Sequence, residues 1–485
     1  MKKLKEILED VQLIETIGKD SIEISSVQFD SRKVSDSSLF IATRGTQVDG
    51  HTYINRAIES GASAILCEEL PKEQKKSVCY LRVENSRNAL GIISSNWFNQ
   101  PSKSLKLVGV TGTNGKTTIA TLLHQLFSDL GYQAGLISTI EHKIGRSNLP
   151  STHTTPDAIA INSLMAQMVE EKCEFCFMEV SSHALHQYRT AGLDFDGAIF
   201  TNLSHDHLDY HKDFSNYIRA KKLFFDGLKK DAFALSNQDD KNGMVMFQNC
   251  KGHQYTYSVK SIGDFTAKII ENQFSGLNLN IDGQDVWFRL IGTFNAYNLL
   301  AIYSTAILLE QDKLEVLSKL SNLSSANGRF DVLQDQKGVS FIVDYAHTPD
   351  ALLNVLQTIH DTLAEGSRII CIVGAGGNRD KSKRPKMAKI AVDYSHQLIL
   401  TSDNPRFEKP EDILNDMKAG LSNTESLKAI SINNREEAIK TAYQLAMPGD
   451  VILVAGKGHE TYQEIEGVKH HFDDKEVISK LFNQS

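Results

Sequence analysis

The chain has 485 residues, 41% hydrophobic and 23% charged, with 60 acidic against 52 basic side chains and a net charge of -8. At about 150 residues per domain this length predicts three domains, each burying its own core. The acidic balance argues against nucleic acid as a partner, because phosphate backbones select basic surfaces, although a local pocket can still be positive.

Six scattered cysteines suit a reducing cytoplasm. Only Cys173 and Cys176 form a C-x-x-C, and no second pair follows at zinc-site spacing. Met1 to Glu15 mixes Lys with Glu and Asp and lacks the apolar run of a signal peptide. No window approaches the ~20 apolar residues of a membrane span. The expectation is a cytoplasmic protein with no membrane insertion.

In chain order, Ile22 to Phe29 and Ala64 to Cys67 read as strands, and Tyr53 to Ser60 has helical spacing closed by Gly61. Gln100-Pro101-Ser102 punctuates the chain and marks a first boundary. Leu105 to Val110 is an apolar run of buried-strand type. A glycine-rich turn follows, then a helix over Thr117 to Leu130, with Leu122, Leu123, Leu126, Phe127 and Leu130 on one face and Gly131 at its end. Strand, loop and helix in that order open a nucleotide-binding α/β domain, continued as a mostly parallel sheet by Phe175 to Val180 and Gly197 to Phe200. After about Arg329, Val339 to Val343, Arg368 to Val373, Gln397 to Thr401 and Asp450 to Val454 alternate with helical stretches, the pattern of a further α/β domain.

The loop reads Gly109-Val-Thr-Gly112-Thr113-Asn114-Gly115-Lys116-Thr117-Thr118. Small residues let backbone N–H groups approach phosphate oxygens, and the following helix adds its positive end. Lys116 would reach the β- and γ-phosphates of ATP, and the Thr117 hydroxyl would ligate Mg2+. The strict G-x-x-x-x-G-K-(S/T) pattern needs glycine where Val110 stands, so this is a variant loop. Glu179 ends a predicted apolar strand, where open α/β sheets face their ligand, and is placed to hold Mg2+. Asn202-Leu-Ser-His205-Asp206-His207-Leu-Asp209-Tyr-His211 is a polar, metal-capable loop that reads equally well as surface. Tyr217 to Phe225, with Lys221, looks like an ordinary amphipathic helix.

Taken in order, Gly109 to Thr118, Glu179 to His183, His205 to His207, Lys221, Asn295 to Asn298, Asn327 to Phe330 and Asp344 to Pro349 resemble the Mur ligase family over essentially the whole chain. These bacterial enzymes extend the peptide of the peptidoglycan precursor, and the variant loop is the form they carry. The resemblance implies an α/β fold of three domains: 1–103, a small UDP-sugar-binding domain; 104–329, a P-loop ATPase-like domain with a mostly parallel sheet; and 330–485, a Rossmann-like amino-acid-binding domain.

It further implies ATP and Mg2+ as cofactors, with Gly112 to Thr118, Asn298, Arg329 and Asp344 at the nucleotide. Lys116, Glu179, His207 and Lys221 would be catalytic, and Thr117, Glu179, His207 and a carbamylated Lys221 would hold metal. Phe29, Ser31, Thr46, Gln47, Val48, His153, Thr154, Thr155, Ser181, Gln187 and Arg189 match contacts to a UDP-N-acetylmuramoyl dipeptide. Arg379, Asp403, Asn404, Pro405, Arg406, Gly456 and Glu460 match amino-acid contacts.

Asp403-Asn404-Pro405-Arg406 has the form linked to meso-diaminopimelate. A guanidinium can pair bidentately with the second carboxylate, which lysine lacks. The implied reaction is ATP-dependent addition of diaminopimelate to UDP-N-acetylmuramoyl-L-alanyl-D-glutamate through an acyl phosphate, with closure of the C-terminal domain before chemistry and a monomer as the expected state. Three alternatives stand beside it: the same reaction with L-lysine, a folylpolyglutamate synthetase-like ligase, and a P-loop binding module without bond formation. A dinucleotide site at Gly374-Ala-Gly-Gly377 lacks the full G-x-G-x-x-G form.

Overall fold

Three sheets, each with its own apolar clusters, organise the chain. The computed structural model describes residues 1–45, 48–151, 153–204 and 206–483, and the backbone alone at residue 209. In the N-terminal domain five strands pair in the order Leu13–Ile17, Cys79–Val83, Ala62–Cys67, Ser38–Ile41 and Ser26–Gln28. All pairings but that of the edge strand Leu13–Ile17 are parallel. The strand expected over Ile22 to Phe29 is two short ones. Glu23–Ile24 pairs with Lys2–Lys3, while Ser26–Gln28 joins the main sheet.

The helix Ser86–Trp97 starts where the Asn85 side chain accepts from Arg87 N and Asn88 N. It buries Ala89, Leu90 and Ile93 among Leu39, Leu66 and Leu81, and Ala158 of the central domain belongs to the same cluster. A Cβ added at Gly91 would lie 2.6 Å from Ala191 Cβ, so glycine there permits close approach of the two domains.

The central domain holds eleven strands in the order Ser147–Pro150, Glu141–Ile144, Ala134–Ile137, Phe175–Glu179, Lys106–Thr111, Gly197–Phe200, Phe233–Asn237, His253–Ser258, Phe265–Gln273, Gly276–Ile281 and Gln284–Phe288. Pairing is parallel from Ala134–Ile137 through Phe265–Gln273. At both edges it turns antiparallel, beyond the mostly parallel sheet predicted from the apolar runs. The cause is local. Asp282-Gly283, with φ of 50° and 78°, joins two strands by a tight two-residue turn of the kind that matches strand twist. The helix after the phosphate loop runs Lys116–Asp129, bounded by Gly115 and Gly131, both with positive φ.

The C-terminal domain orders its strands Asp331–Gln334, Ser340–Asp344, Val451–Ala455, Ile369–Val373, Gln397–Thr401 and Ala429–Ile432, parallel except at the first pairing. The four expected runs lie within one residue of observed strands, while Asp331–Gln334 and Ala429–Ile432 were not expected. Ile291 of the central domain lies in this domain's core, with Phe294 against it.

All six cysteines are free, and burial pushes the Cys173 and Cys176 thiols up. Among the described residues no helix is long and apolar enough to cross a membrane.

Candidate active site

Glu179 stands opposite Val110 in the register of two neighbouring parallel strands, and Phe200 stands opposite Thr111 on the other side. The strand ends therefore deliver the phosphate loop, Glu179 and the Thr201-Asn202 turn to one place. Thr201 Oγ1 donates to Asn114 O at 2.6 Å, and Asn202 Oδ1 accepts from Asn114 N at 2.9 Å. A Cβ at Gly112 would collide with Thr201 Oγ1, and one at Gly115 would lie 2.7 Å from Asn298 Oδ1. Both glycines have positive φ, so the loop demands them twice over.

Glu179 is fully buried. Its carboxylate accepts from Thr117 Oγ1 at 2.9 Å and from Thr139 N at 2.7 Å. Bonds to a charged acceptor are worth about 1.5–3 kcal/mol each, enough to hold this carboxylate in an apolar sheet. Lys116 Nζ donates to Gly112 O at 2.9 Å and Thr113 O at 2.8 Å, and burial lowers its pKa. Two oxygen donors at the loop mouth suit Mg2+, which takes one or two protein oxygens and completes its shell with phosphates and water. Among the described residues no three His, Cys, Asp or Glu side chains gather into a metal-holding group.

The helix Phe214–Asp226 is not an ordinary surface helix at Lys221, which is 1% exposed. Its Nζ donates to Gly112 O at 2.7 Å and lies 4.8 Å from the Tyr217 ring centre. Burial, reinforced by Lys116, drives the Lys221 pKa well below its ordinary value. On another side of Tyr217 the His207 ring stands 6.3 Å away, and His207 Nε2 pairs with Asp206 at 3.4 Å. His183 lies 4.8 Å from the His207 ring and 4.1 Å from that of Tyr210. His205 lies outside the described residues, as does the Asp209 side chain.

Thr154, Thr155, Ser181, Gln187 and Arg189 form one network around the end of the Glu179 strand. Thr155 Oγ1 donates to Glu179 O at 2.8 Å and accepts from Ser181 N at 3.1 Å. Arg189 Nη1 donates to Thr155 O at 2.6 Å, and its Nη2 donates to Gln187 Oε1 at 2.8 Å. Thr154 Oγ1 accepts from Thr139 Oγ1 at 3.0 Å, and His153 is exposed beside it. In the N-terminal domain Ser31 is buried at the start of a short 3-10 turn, while Phe29 and Val48 are exposed. Thr46 and Gln47 lie outside the described residues.

The domain junction and the C-terminal domain close the other wall. Arg329 Nη2 donates to Thr117 Oγ1 at 3.0 Å, and its guanidinium lies 4.6 Å from the Tyr345 ring centre. Asp344 accepts from Phe330 N at 2.6 Å and Ala346 N at 2.7 Å, and burial raises its pKa. Asn298 Nδ2 donates to Asn295 Oδ1 at 2.9 Å. A cavity of about 650 Å3 lies between the two domains, lined among others by Lys116, Thr117, Glu179, Asn298, Arg329 and Asp344.

Beyond Tyr345, whose ring lies 5.1 Å from that of His459, the chain reaches the remaining residues. Asn404 Nδ2 donates to Glu460 Oε2 at 2.8 Å. A Cβ at Gly456, where φ is +114°, would lie 3.2 Å from Asp403 Oδ2. Arg406, with φ of 54°, donates from Nη1 to Gly377 O at 2.9 Å and pairs through Nε with Glu464 at 3.2 Å. Pro405 is buried and Arg379 exposed, its Cγ and Arg406 Nη1 both flanking Gly376.

Several members of this constellation carry no strong sequence signal. Thr139 meets Glu179 through its backbone N–H and Thr154 through its hydroxyl, and Asn202 sits in a segment dominated by histidines. Asp350 accepts from Asn114 Nδ2 at 2.8 Å across 236 residues, a separation no local pattern reveals. His347 also lines the cavity, and burial lowers its pKa to about 4.

Comparison with known proteins shows the family. Residues 23–98 match the Mur ligase family catalytic domain, 110–306 the Mur ligase middle domain, and 328–458 the Mur ligase glutamate ligase domain. The UDP-N-acetylmuramoyl-L-alanyl-D-glutamate--2,6-diaminopimelate ligase of Parabacteroides distasonis is 54% identical over 480 residues, covering 99% of each chain. The protein of the same name from Bacteroides thetaiotaomicron is also 54% identical over 480 residues, 99% of this chain and 100% of that one. A solved structure of a ligase of that name superposes with a TM-score of 0.72 at 32% identity, covering 100% of this chain and 99% of the other. Matched in all three domains and along its whole length, the chain belongs to the Mur ligase family.

Proposed function

We propose that the chain is an ATP-dependent ligase that joins meso-2,6-diaminopimelate to UDP-N-acetylmuramoyl-L-alanyl-D-glutamate in peptidoglycan precursor synthesis. The observation that carries this reading is the cavity gathering Lys116, Glu179 and Arg329 and lined also by Tyr345, whose ring lies 5.1 Å from that of His459, the neighbour of Glu460 in the chain. The names of relatives similar over the full length supply the substrates.

A carboxylate does not acylate an amine at neutral pH, because oxide is a poor leaving group. The γ-carboxylate of the D-glutamate would therefore first take the γ-phosphoryl group of ATP, and ADP would leave with the electrons of the broken P–O bond. The free amine would then form the C–N bond and lose its proton to solvent, and phosphate would leave with the C–O pair. Positioning and charge neutralisation dominate such chemistry.

In this reading Gly112 to Thr118 cradle the phosphates, Lys116 bridges the β- and γ-phosphates, and Asn298, Arg329 and Asp344 hold the rest of ATP. Thr117 and Glu179 would hold one Mg2+, and His207 with a carbamylated Lys221 a second; such ions neutralise phosphate charge when bound. A neutral lysine amine is the form that adds CO2, and burial beside Lys116 favours that form at Lys221.

Phe29, Ser31, Thr46, Gln47 and Val48 would take the uridine nucleotide, and His153, Thr154, Thr155, Ser181, Gln187 and Arg189 the sugar peptide. Arg379, Asp403, Asn404, Pro405, Arg406, Gly456 and Glu460 would take diaminopimelate. The domain limits that fit these roles are 1–103, 104–329 and 330–485. The chain would act as a monomer in the cytoplasm.

Phosphate release from ATP tests the reading. It should require both the UDP-muramoyl dipeptide and diaminopimelate, and turnover with lysine equal to that with diaminopimelate would overturn the choice of amino acid.

A further inference from the structure

Behind the amino-acid contacts lies a lysine with no exposed surface. The Lys457 side chain is 0% exposed, and its Nζ donates to Tyr462 O at 2.6 Å and Asn404 Oδ1 at 3.1 Å. The same atom lies 3.4 Å from Glu460 Oε2 and 3.5 Å from Asp403 Oδ1. A side chain so placed touches three of the residues assigned above to the amino acid while being shut off from solvent itself.

Two consequences follow from this geometry. The first concerns orientation. Asn404 Oδ1 accepts from both Lys457 Nζ and Glu464 N, the latter at 2.9 Å, so the amide is turned with Nδ2 toward Glu460. Were the amide reversed, its NH2 would face two donors. The second concerns charge. Of the nearby cations, Arg406 is paired with Glu464, and Arg435 is paired at 2.7 Å with the fully buried Asp474. Among the described residues Lys457 is the cation within ion-pair distance of both Asp403 and Glu460. Burial and the Asp403 charge push the Glu460 carboxyl up, and Lys457 opposes both; Asp403, which burial would raise, is held below its usual range by Lys457 foremost.

We propose that Lys457 is a positioning residue that sets amino-acid specificity, by fixing the Asn404 amide and by offsetting the Asp403 and Glu460 carboxylates so that the site accepts an amino acid bearing two carboxylates. The inference rests on the diaminopimelate reading. Diaminopimelate carries two ammonium and two carboxylate groups and is neutral overall, whereas lysine carries one net positive charge. Removing one buried positive charge makes the site more acidic, which disfavours the second carboxylate and favours the cation.

The test uses the full-length protein and compares Lys457→Met and Lys457→Gln with the parent chain. Three quantities are measured: the KM for diaminopimelate, the inhibition constant of L-lysine as competitor, and the KM for ATP. The expected result is a rise of about tenfold or more in the diaminopimelate KM, lysine inhibition unchanged or tighter, and an ATP KM within about twofold of the parent, as loss of one nearby charge in a partly desolvated site implies. Lys457→Gln keeps N–H donors for Asn404 and Tyr462, so it serves if Lys457→Met fails to show an ATP-dependent rise in melting temperature. Weakening of both amino acids by the same factor in a variant that still binds ATP would overturn the proposal and leave a purely structural lysine. Failure of the parent chain to use diaminopimelate would instead overturn the substrate reading.

Discussion

Arg329 reaches from the junction of the central and C-terminal domains to donate to the Thr117 hydroxyl at 3.0 Å, while that hydroxyl donates to Glu179 at 2.9 Å. One oxygen thus ties the phosphate loop, the end of the central sheet and the domain junction together. Charged hydrogen bonds of this kind are worth about 1.5–3 kcal/mol, or roughly 10- to 100-fold in binding. Arg329→Ala is therefore expected to raise the KM for ATP by that factor and the KM for diaminopimelate far less, as initial rates with each substrate varied in turn would reveal.

Arg406 offers the complementary case. It approaches Gly377 and Glu464 but is far along the chain from the phosphate loop. If it pairs with the second carboxylate of diaminopimelate, Arg406→Ala leaves that carboxylate unpaired in a half-buried site, at a cost of several kcal/mol. The expected outcome is at least about a hundredfold loss in kcat/KM for diaminopimelate, with nucleotide affinity unchanged by titration calorimetry. An equal loss of both would count against the assignment.

Domain closure is a further expectation. Asn114 of the phosphate loop already meets Asp350 of the C-terminal domain at 2.8 Å, so ATP must enter beside an interdomain contact that can reform around it. Small-angle scattering with ATP analogue and dipeptide substrate should give a smaller radius of gyration than the protein alone. Superimposable profiles would argue for a cleft already set.

His124 gives a pH prediction away from the cavity. It is 6% exposed on the phosphate-loop helix, with Nε2 unpartnered, and burial depresses its pKa from 6.5 to about 4. A depressed histidine stabilises the fold fully above its unfolded value, and that stability is lost as the pH falls from 6.5 toward 4. The loss is on the order of 3 kcal/mol from this group. His124→Gln should flatten the fall in urea midpoint between pH 6.5 and 4 relative to the parent chain; parallel curves would exclude the contribution.

Much of the fold is legible in the sequence because its signals are local. Gly115 and Gly131 bound the phosphate-loop helix, and four apolar runs of the C-terminal domain lie within a residue of four of its parallel strands, the edge strand Ala429–Ile432 being too short to stand out. The antiparallel edges were harder to read, since strands such as Gly276–Ile281 and Gln284–Phe288 are half polar and their strongest mark is the Asp282-Gly283 turn. The site divides along the same line. Lys116 and Glu179 announce themselves by loop and strand end, whereas Lys221 is buried only because its helix packs under Gly112, 109 residues away in the chain. Asp350 and Lys457 likewise owe their positions to tertiary contacts.

The most direct measurement is phosphate release from ATP with each substrate omitted in turn. If the chain forms this amide bond, phosphate and the UDP-muramoyl tripeptide appear in equal amounts only when dipeptide and diaminopimelate are both present, and lysine supports little turnover. Release that continues without either substrate, or that lysine supports as well as diaminopimelate does, would contradict it.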